Sequence, residues 1–154
     1  MPRAIKAGII GTGFMGPAHV EALRRLGNVE VIGVAEANQD LANAKAEAMS
    51  IPNAYGDYKK LLENSDIQIV HNCTPNHLHF AINKDILAAG KHVVSEKPLA
   101  MNTEQSSELV KLAKESGKIN AVNFNYRFYP LVQHARAMVE AGEVGDVYAI
   151  HGSY

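Results

Sequence analysis

The 154-residue sequence has little that would cross-link the chain, hold it in a membrane or attract it to a polyanion. The single cysteine, Cys73, excludes an internal disulfide and is typical of a reducing compartment. The 15 basic and 16 acidic side chains give a formal net charge of -1, which leaves no electrostatic footprint for nucleic acid or an anionic membrane. No apolar run approaches the length of a membrane span, and the opening MPRAIKAGII has no signal-peptide core. We therefore expect a cytoplasmic protein whose partner is a small molecule, with no nucleic acid and no membrane as partner.

The sequence does have, near its start, an apolar run followed by a glycine-rich turn and a helix-compatible pattern. Gly11, Gly13 and Gly16 stand in the spacing G-x-G-x-x-G. In a dinucleotide-binding crossover, the first glycine allows a sharp turn and the second lets the backbone lie against a pyrophosphate, while the third lets the helix pack close to the strand. The unpaired N–H groups at the helix N-terminus then face the anion. Glycine triplets also occur in loops that bind nothing, so the context of the motif decides its meaning.

That context includes a carboxylate after a second apolar run. The segment VEVIGVA, residues 29–35, has the continuous apolar character of a buried parallel strand and ends at Glu36. Glu36 follows Gly16 by about 20 residues, where this fold places an acidic side chain against the adenosine ribose hydroxyls. A carboxylate there accepts both hydroxyl protons and repels a 2′-phosphate, which predicts NAD rather than NADP as the cofactor. The alternative is a solvated glutamate after a strand.

Apolar runs alternate with helical patterns from residue 5 to residue 123. We expect strands at Ile5–Ile10, Val29–Ala35, 54–55, Ile67–Asn72, His92–Ser95 and Ile119–Asn123. Helices are expected at Pro17–Leu26, Leu41–Met49, 58–62, Leu78–Ala89 and 103–116. Right-handed crossovers between such strands give an α/β protein with a Rossmann doubly wound parallel sheet, in which ligands bind at the carboxyl ends of the strands.

Apolar residues at helical spacing predict the buried faces of two helices. These residues are Ala18, Ala22, Leu23 and Leu26 in the first helix, and Leu78, Ile82, Ile86 and Ala89 in the helix at 78–89. Asp57 is the expected cap of the short helix, and Asn102 or Thr103 that of the last one. Gly117 is expected to end that last helix.

The end of the sequence departs from this plan. An amphipathic helix is expected at Leu131–Ala141 and an alternating strand at Val147–Tyr154. A lone strand has no partner in a completed sheet. We therefore assign 1–123 to an NAD(P)-binding domain, 124–146 to a connecting segment and helix, and 147–154 to the first strand of a C-terminal α/β domain that the chain lacks. Alternatively, the segment pairs at the sheet edge or is disordered.

Polar clusters follow several predicted strands, at the edge of the sheet where a ligand would bind. The first is Thr74-Pro75-Asn76 with His77 and His79. Asn76 is the expected cap of the following helix. His77 and His79 are two residues apart, share no helix face and therefore predict no metal site. Cys73, directly before this cluster, is expected to be a buried thiol without a role.

The second cluster is Glu96-Lys97-Pro98, and the third is Asn123 with Asn125, Tyr126 and Arg127. Charges are costly to bury unless they are paired, so Glu96 and Lys97 at a strand end predict a polar function there. The third cluster holds one arginine, which is too little charge for a nucleic-acid patch.

Motifs along the whole chain resemble the N-terminal half of the Gfo/Idh/MocA oxidoreductases, the glucose-fructose oxidoreductase and inositol dehydrogenase family. In chain order, these motifs are GIIGTGFMGPAH, VAEAN, CTPNHLHFAINKDILAAGKHVVSEKPLA, NFNYRFYP and GEVGDVYAIHGSY. The resemblance implies an NAD(P) domain followed by a C-terminal α/β domain, whose open sheet supports oligomerisation and completes the substrate site. We therefore expect the full-length form to be a homo-oligomer.

The resemblance also implies cofactor-binding residues. The pyrophosphate would meet Gly11, Gly13, Phe14 and Met15, with Gly16 in the same turn, and the adenosine ribose would meet Glu36. Thr74, Asn76 and His79 would contact the middle of the cofactor, Glu96 the nicotinamide ribose and Arg127 the surroundings of the nicotinamide. Lys97 would line both cofactor and substrate as the active-site lysine, before a cis bond to Pro98.

A lysine at the substrate fits the chemistry of such a family. As a hydride leaves a carbinol carbon, the hydroxyl proton must leave too, and a lysine beside that oxygen can polarise the hydroxyl or relay its proton. The proton-transfer histidine and its aspartate partner lie in the C-terminal domain of the family. His134 and His151 do not match those positions, so this chain does not complete the mechanism.

We therefore expect an NAD-dependent oxidoreductase that transfers a hydride between a sugar, inositol or related polyol and nicotinamide. This chain would be its cofactor-binding part, with little or no turnover alone. A non-catalytic NAD-sensing module is the alternative from another class, and it would have no use for Lys97. A biliverdin-like or dihydrodiol substrate on the same scaffold is the alternative among enzymes.

Overall fold

The six predicted strands form and pair in one parallel sheet. A computed structural model describes residues 4–153 of the chain. The strands are β1 (Ile5–Ile10), β2 (Val29–Ala35), β3 (Asn53–Tyr55), β4 (Ile69–Asn72), β5 (His92–Ser95) and β6 (Asn120–Val122). Their order across the sheet is β3-β2-β1-β4-β5-β6, which confirms the expected Rossmann doubly wound fold.

The direction of winding reverses between β1 and β4. The register of β1 runs from Ile5 opposite Val29 to Ile10 opposite Ala35 on one side, and Ile10 lies opposite Asn72 of β4 on the other. In open parallel sheets, the loops after two such strands lead to opposite faces and leave a crevice between them.

Helices connect the strands. They are α1 (Met15–Arg25), α2 (Gln39–Ala48), α3 (Tyr58–Glu63), α4 (His79–Ala88), α5 (Thr103–Ser116) and, after the sheet, α6 (Pro130–Glu140). Three of the six described helices, α2, α3 and α5, begin at a residue whose side chain caps them. The Asp57 carboxylate accepts the Lys59 amide, and the Asn102 side chain accepts the Gln105 amide, as predicted. Gly117 ends α5 in the left-handed region, at φ 63°.

The core has two apolar clusters, one on each face of the sheet. One contains Ala7, Ile9, Val20, Leu23, Val31, Val34, Ala46 and Ile51, from β1 and β2 together with α1, α2 and the turn after α2. The other contains Ile10, Ile32, Ala35, Leu61, Leu62, Ile67, Val70, Ile82, Ile86, Leu87, Val93 and Ala113, with side chains of α3, α4 and α5. Helices α1 and α4 therefore pack on opposite faces.

Two predicted helix faces are wrong in part. The buried residues of α1 are Gly16, His19, Val20 and Leu23, while Ala18, Ala22 and Leu26 are exposed. In α4, His79 and Asn83 are buried and Leu78 is 38% exposed. Apolar periodicity misses these faces because both helices bury polar side chains that find hydrogen-bond partners inside the protein.

The predicted cap at Asn76 is also wrong. Residues Asn76–Leu78 form a single turn of 3-10 helix, with Pro75 at the N-cap position before it, and α4 then begins at His79 without a side-chain cap. The extra turn separates Asn76 from the first α-helical N–H groups, and its side chain cannot satisfy them.

The chain divides into two compact units, with the boundary between Asn123 and Phe124. The second unit contains a 3-10 helix (Asn125–Phe128) and α6. Residues 147–153 form no strand, contrary to the prediction, and residue 154 lies outside the described residues. A strand needs a partner for its backbone hydrogen bonds, and the six-stranded sheet is complete without this segment. Its assignment to a further domain stays a prediction. Within residues 4–153, no helix is long and apolar enough to span a membrane.

Candidate functional site

A cleft of about 420 Å³ lies at the carboxyl ends of the central strands. It is lined by Gly11, Thr12, Gly13, Phe14, Met15, Glu36, Cys73, Thr74, Pro75, Asn76, His79, Glu96 and Lys97. These residues follow β1, β2, β4 and β5 in the sequence. The fold thus brings the glycine turn, the carboxylate after β2 and the Glu96-Lys97 pair, which are distant in sequence, to one shared crevice.

The glycine turn is held by two close backbone contacts beneath the cleft. Gly11 has φ +83°, and a Cβ added to it would lie 2.9 Å from the carbonyl oxygen of Cys73. A Cβ on Gly16 would lie 2.5 Å from the carbonyl oxygen of Gly11. Gly16 does not line the cleft: it lets α1 pack against the turn, which is the reason that the spacing predicts for the third glycine.

Gly13 differs from both neighbours. Its φ is not positive, and a Cβ added there would meet no protein atom within 4 Å. Neither backbone conformation nor packing within the described part of the chain therefore requires glycine at this position. Gly13 lines the cleft beside Phe14, whose side chain is 94% exposed. Glycine at this position leaves the backbone uncovered, so that a ligand in the cleft has close access to it.

Glu36 is anchored to the glycine turn. Its Oε1 accepts hydrogen bonds from both the amide and the hydroxyl of Thr12, each at 2.5 Å. Thr12 is 1% exposed, so this contact is shielded from water. A carboxylate offers acceptor sites on both oxygens, and Oε2 of Glu36 is available to accept hydroxyl hydrogens in the cleft.

Polar side chains tie the loop after β4 to α4 and to the loop after β5. The Thr74 hydroxyl donates to Asn72 Oδ1 at 2.7 Å, and Asn72 Nδ2 donates to Asn83 Oδ1 at 2.9 Å. His79 is fully buried and lies between two carbonyl oxygens, with Nε2 at 2.8 Å from that of Thr74 and Nδ1 at 2.6 Å from that of Pro98. His79 thereby fixes the loop after β4 against the loop after β5.

Glu96 and Lys97 directly follow β5 and differ in exposure. Lys97 is exposed and lines the cleft, and its peptide bond to Pro98 is cis, as the resemblance implies. Glu96 is 5% exposed. Burial by itself would raise the pKa of Glu96, but hydrogen bonds from Asn123, His19 and the Lys97 amide together hold the pKa below its usual value.

Two histidines that the sequence did not single out lie behind Glu96. His19 Nε2 is 2.9 Å from Glu96 Oε1, and His19 Nδ1 is 2.8 Å from His71 Nδ1. Burial, with a smaller contribution from His19, lowers the pKa of His71 to about 4, so the His71 ring is neutral at physiological pH. The only available sequence signal for His19 was its position in the first turns of α1, three residues after Gly16.

Cys73 lines the cleft, is partly buried and carries no reactive thiolate. Burial first, and the Glu96 carboxylate second, raise the pKa of its thiol to about 12. Arg127 lies in the second unit, on the 3-10 helix Asn125–Phe128, and its assignment to the cofactor stays a prediction. In residues 4–153, no group of three or more potential ligand side chains could hold a metal ion.

Sheet order, glycine turn and anchored carboxylate together define a dinucleotide-binding domain. A family model described as an oxidoreductase family with an NAD-binding Rossmann fold matches residues 5–124. The chain belongs to this family, the Gfo/Idh/MocA oxidoreductases, and residues 5–124 are its NAD-binding domain.

The curated relatives of this chain are longer proteins, and the chain matches only part of each. The chain is 35% identical to levoglucosan dehydrogenase of Pseudarthrobacter phenanthrenivorans, over 97% of this chain and 40% of that protein. It is 35% identical to trans-1,2-dihydrobenzene-1,2-diol dehydrogenase of Xenopus laevis, over 98% of this chain and 46% of that protein. The chain therefore spans less than half the length of these relatives.

Solved structures show the same fold with cofactor bound. Levoglucosan dehydrogenase in complex with NADH and levoglucosan superposes with a TM-score of 0.88 at 34% identity, over 93% of this chain and 41% of that one. Scyllo-inositol dehydrogenase of Lactobacillus casei with NAD(H) and scyllo-inositol gives a TM-score of 0.85 at 23% identity, over 94% of this chain and 43% of that one, a likeness of fold alone.

Proposed function

We propose that this chain is the cofactor-binding half of an NAD-dependent dehydrogenase that oxidises a secondary hydroxyl of a sugar, inositol or related polyol. The observation that carries the proposal is Gly13, which the protein itself does not require to be glycine and which lines the crevice joining Glu36 to Lys97. A dinucleotide spanning that crevice would need bare backbone at its centre and polar side chains at both ends.

Each end of the cleft has groups suited to one half of the dinucleotide. Oε2 of Glu36 accepts hydroxyl hydrogens of the adenosine ribose, and its charge disfavours a 2′-phosphate. The turn at Gly11, Gly13, Phe14 and Met15 faces the pyrophosphate at the N-terminus of α1, whose N–H groups favour an anion. Thr74 and Asn76 would border the middle of the cofactor, His79 would act there by holding their loop rather than by direct contact, and Glu96 and Lys97 would border the nicotinamide half.

Lys97 acts on the substrate hydroxyl. NAD, when bound, supplies the acceptor for the hydride that leaves the carbinol carbon. The hydroxyl proton must leave the same molecule, and the Lys97 ammonium donates a hydrogen bond to that oxygen, which favours loss of its proton. Residues of a further domain would accept the proton. A regulatory NAD-sensing module would need the glycine turn and Glu36 but not Lys97 at the mouth of the cleft, so Lys97 favours the enzyme.

Two relatives support the substrate class. Levoglucosan dehydrogenase and the dihydrodiol dehydrogenase are named for substrates that carry secondary hydroxyls, and each is 35% identical to this chain. A vicinal diol is common to polyols and dihydrodiols, so we propose that the full-length protein recognises such a diol. We also propose that the full-length protein is a homo-oligomer, as the family resemblance implies, and that it is cytoplasmic, as the single cysteine of this chain suggests. Sedimentation velocity would test its oligomeric state.

Calorimetric titration of this chain with NAD and NADP tests the cofactor half of the proposal. We expect NAD to bind and NADP to bind at least about tenfold more weakly, because the Glu36 carboxylate repels the extra phosphate. Binding of neither nucleotide, or tighter binding of NADP, would contradict the proposal.

Lys97→Ala in the full-length enzyme tests the catalytic half. We expect kcat to fall by about 100-fold or more, while the dissociation constant for NAD stays within about twofold, because Lys97 acts on the substrate. Assays with levoglucosan, inositols and trans-dihydrodiols would identify the preferred diol. Weaker NAD affinity with unchanged kcat would remove Lys97 from catalysis.

A further inference from the structure

A chain of buried side chains runs from the core of the protein to the cleft. Its members are His71 on β4, His19 on α1 and Glu96 at the end of β5, with exposed fractions of 7%, 7% and 5%. Hydrogen-bond distances of 2.8 Å and 2.9 Å link His71 to His19 and His19 to Glu96. We call these three residues the His-His-Glu array.

Donor and acceptor chemistry fixes how the array is arranged around Glu96. An ionised carboxylate can only accept hydrogen bonds, so His19 Nε2 carries the hydrogen that it shares with Oε1. The Asn123 side chain donates to the same oxygen at 2.6 Å. Oε2 receives the Lys97 amide at 3.2 Å, a longer contact, and retains acceptor capacity. One oxygen of Glu96 is thus anchored to the protein and the other is available at the cleft that Glu96 lines.

The array leaves one atom unsatisfied. His71 Nε2 is, in the described part of the chain, the buried side-chain nitrogen or oxygen without a hydrogen-bond partner. An apolar residue in place of His71 would remove this unsatisfied nitrogen from the core. Both ring nitrogens of His19 are engaged, so rotation of its ring would break contacts to His71 and Glu96 at once. The arrangement therefore lowers the stability of the fold but holds Glu96 in one orientation, which is typical of a functional site.

We propose that His19 is a positioning residue for the nicotinamide end of the cofactor site, where it fixes Glu96 so that Oε2 accepts a hydroxyl hydrogen of the nicotinamide-side ribose. This inference rests on the proposed function, because it requires a dinucleotide in the cleft. His71 completes the array by holding the far side of the His19 ring. His19 itself has no place in the cleft lining and acts only through Glu96.

The test compares NAD with ADP, which carries the adenosine ribose and two phosphates but lacks the nicotinamide-side ribose. In His19→Leu, we expect the affinity for NAD to fall about tenfold and that for ADP to stay within about twofold, because only the Glu96 end is disturbed. Glu96→Gln should reproduce this pattern, and the double variant should lose no more than either single one. His19→Gln retains an N–H that can reach Glu96 and should recover most of the affinity for NAD. His134→Leu, an exposed histidine of α6, is the matched control.

The outcomes separate this inference from the proposed function. Unchanged NAD affinity in His19→Leu, or equal losses for NAD and ADP, would overturn the positioning role. Should His19→Leu fail to fold by circular dichroism, the pair Glu96→Gln and His19→Gln decides: unchanged NAD affinity in the first, or loss in the second as large as in the first, would overturn it. A wild-type chain that binds neither NAD nor ADP would instead overturn the proposed function itself.

Discussion

Thr12 donates hydrogen bonds from both its amide and its hydroxyl to a single oxygen of Glu36, Oε1, each at 2.5 Å. The residue between the first two glycines of the turn therefore orients the carboxylate that follows β2. Because Thr12 is 1% exposed, water does not compete for this contact. The glycine turn after β1 and the carboxylate after β2 are thus linked through one side chain.

Removal of the Thr12 hydroxyl should weaken the preference for NAD. Thr12→Val keeps the shape and the amide but removes one of the two donors to Glu36, so we expect NAD to bind about tenfold more weakly and the NAD-to-NADP affinity ratio to fall. Calorimetric titration with both nucleotides measures this. Thr12→Ser, which retains the hydroxyl, should keep the ratio. An unchanged ratio in Thr12→Val would show that Glu36 needs no anchor.

Alanine at Gly13 should weaken NAD binding without a loss of stability, whereas alanine at Gly16 should lower the stability of the fold. Gly13→Ala adds a methyl group with no protein atom within 4 Å, so the thermal midpoint should stay constant while NAD affinity falls at least about tenfold. Gly16→Ala places its methyl 2.5 Å from the Gly11 carbonyl oxygen and should destabilise the fold by about 1–3 kcal/mol. Differential scanning calorimetry and NAD titration of both variants provide the comparison. Unimpaired NAD binding in Gly13→Ala would remove the main support for a ligand at this turn.

Acidification should destabilise the protein through His71. Its folded pKa is about 4 against an ordinary 6.5, so between these values the unfolded chain binds a proton that the folded one does not. Stability is therefore lost as the pH falls from 7 to 5, by about 2 kcal/mol from this residue. Urea unfolding at the two pH values measures the loss. His71→Gln does not titrate there, and a loss as large in that variant would assign the effect to other groups.

The thiol of Cys73 should stay unreactive in the folded protein. With a pKa of about 12, only about one molecule in 10,000 carries the thiolate at pH 8. We expect 5,5′-dithiobis(2-nitrobenzoic acid) to react slowly with the native chain and to titrate one thiol rapidly in urea. Rapid reaction of the native chain would show that water and reagent reach the Cys73 thiol more freely than its partial burial indicates.

Sequence reasoning predicted the strands well because continuous apolar runs such as Val29–Ala35 reflect burial on both faces of a parallel sheet. It failed on the inner faces of α1 and α4. His19, His79 and Asn83 are buried there, whereas Ala18 and Ala22, which were expected to be buried, are exposed. Apolar periodicity carries no information about a polar residue whose partner comes from a remote strand.

The site residues that were predicted belong to a local motif, whereas those that were missed depend on contacts between residues remote in sequence. Gly11, Gly13 and Glu36 belong to a local motif with fixed spacing, so the sequence alone places them in one crevice. The contact of His19 with Glu96 joins residues 77 positions apart, and that with His71 joins residues 52 apart. Only the folded sheet brings these elements together, and no spacing along the chain predicts the pairing.

The two sides of the crevice are each supported by a different apolar cluster of the core. The wall after β1 continues into α1 over the cluster that contains Val20 and Leu23, and the wall after β4 continues into α4 over the cluster that contains Ile82 and Ile86. The opening is a product of winding order rather than of missing side chains. Apolar substitutions in either cluster should therefore leave the crevice open. A side chain at Gly11 or Gly16, by contrast, would collide with backbone and displace the turn that borders the crevice.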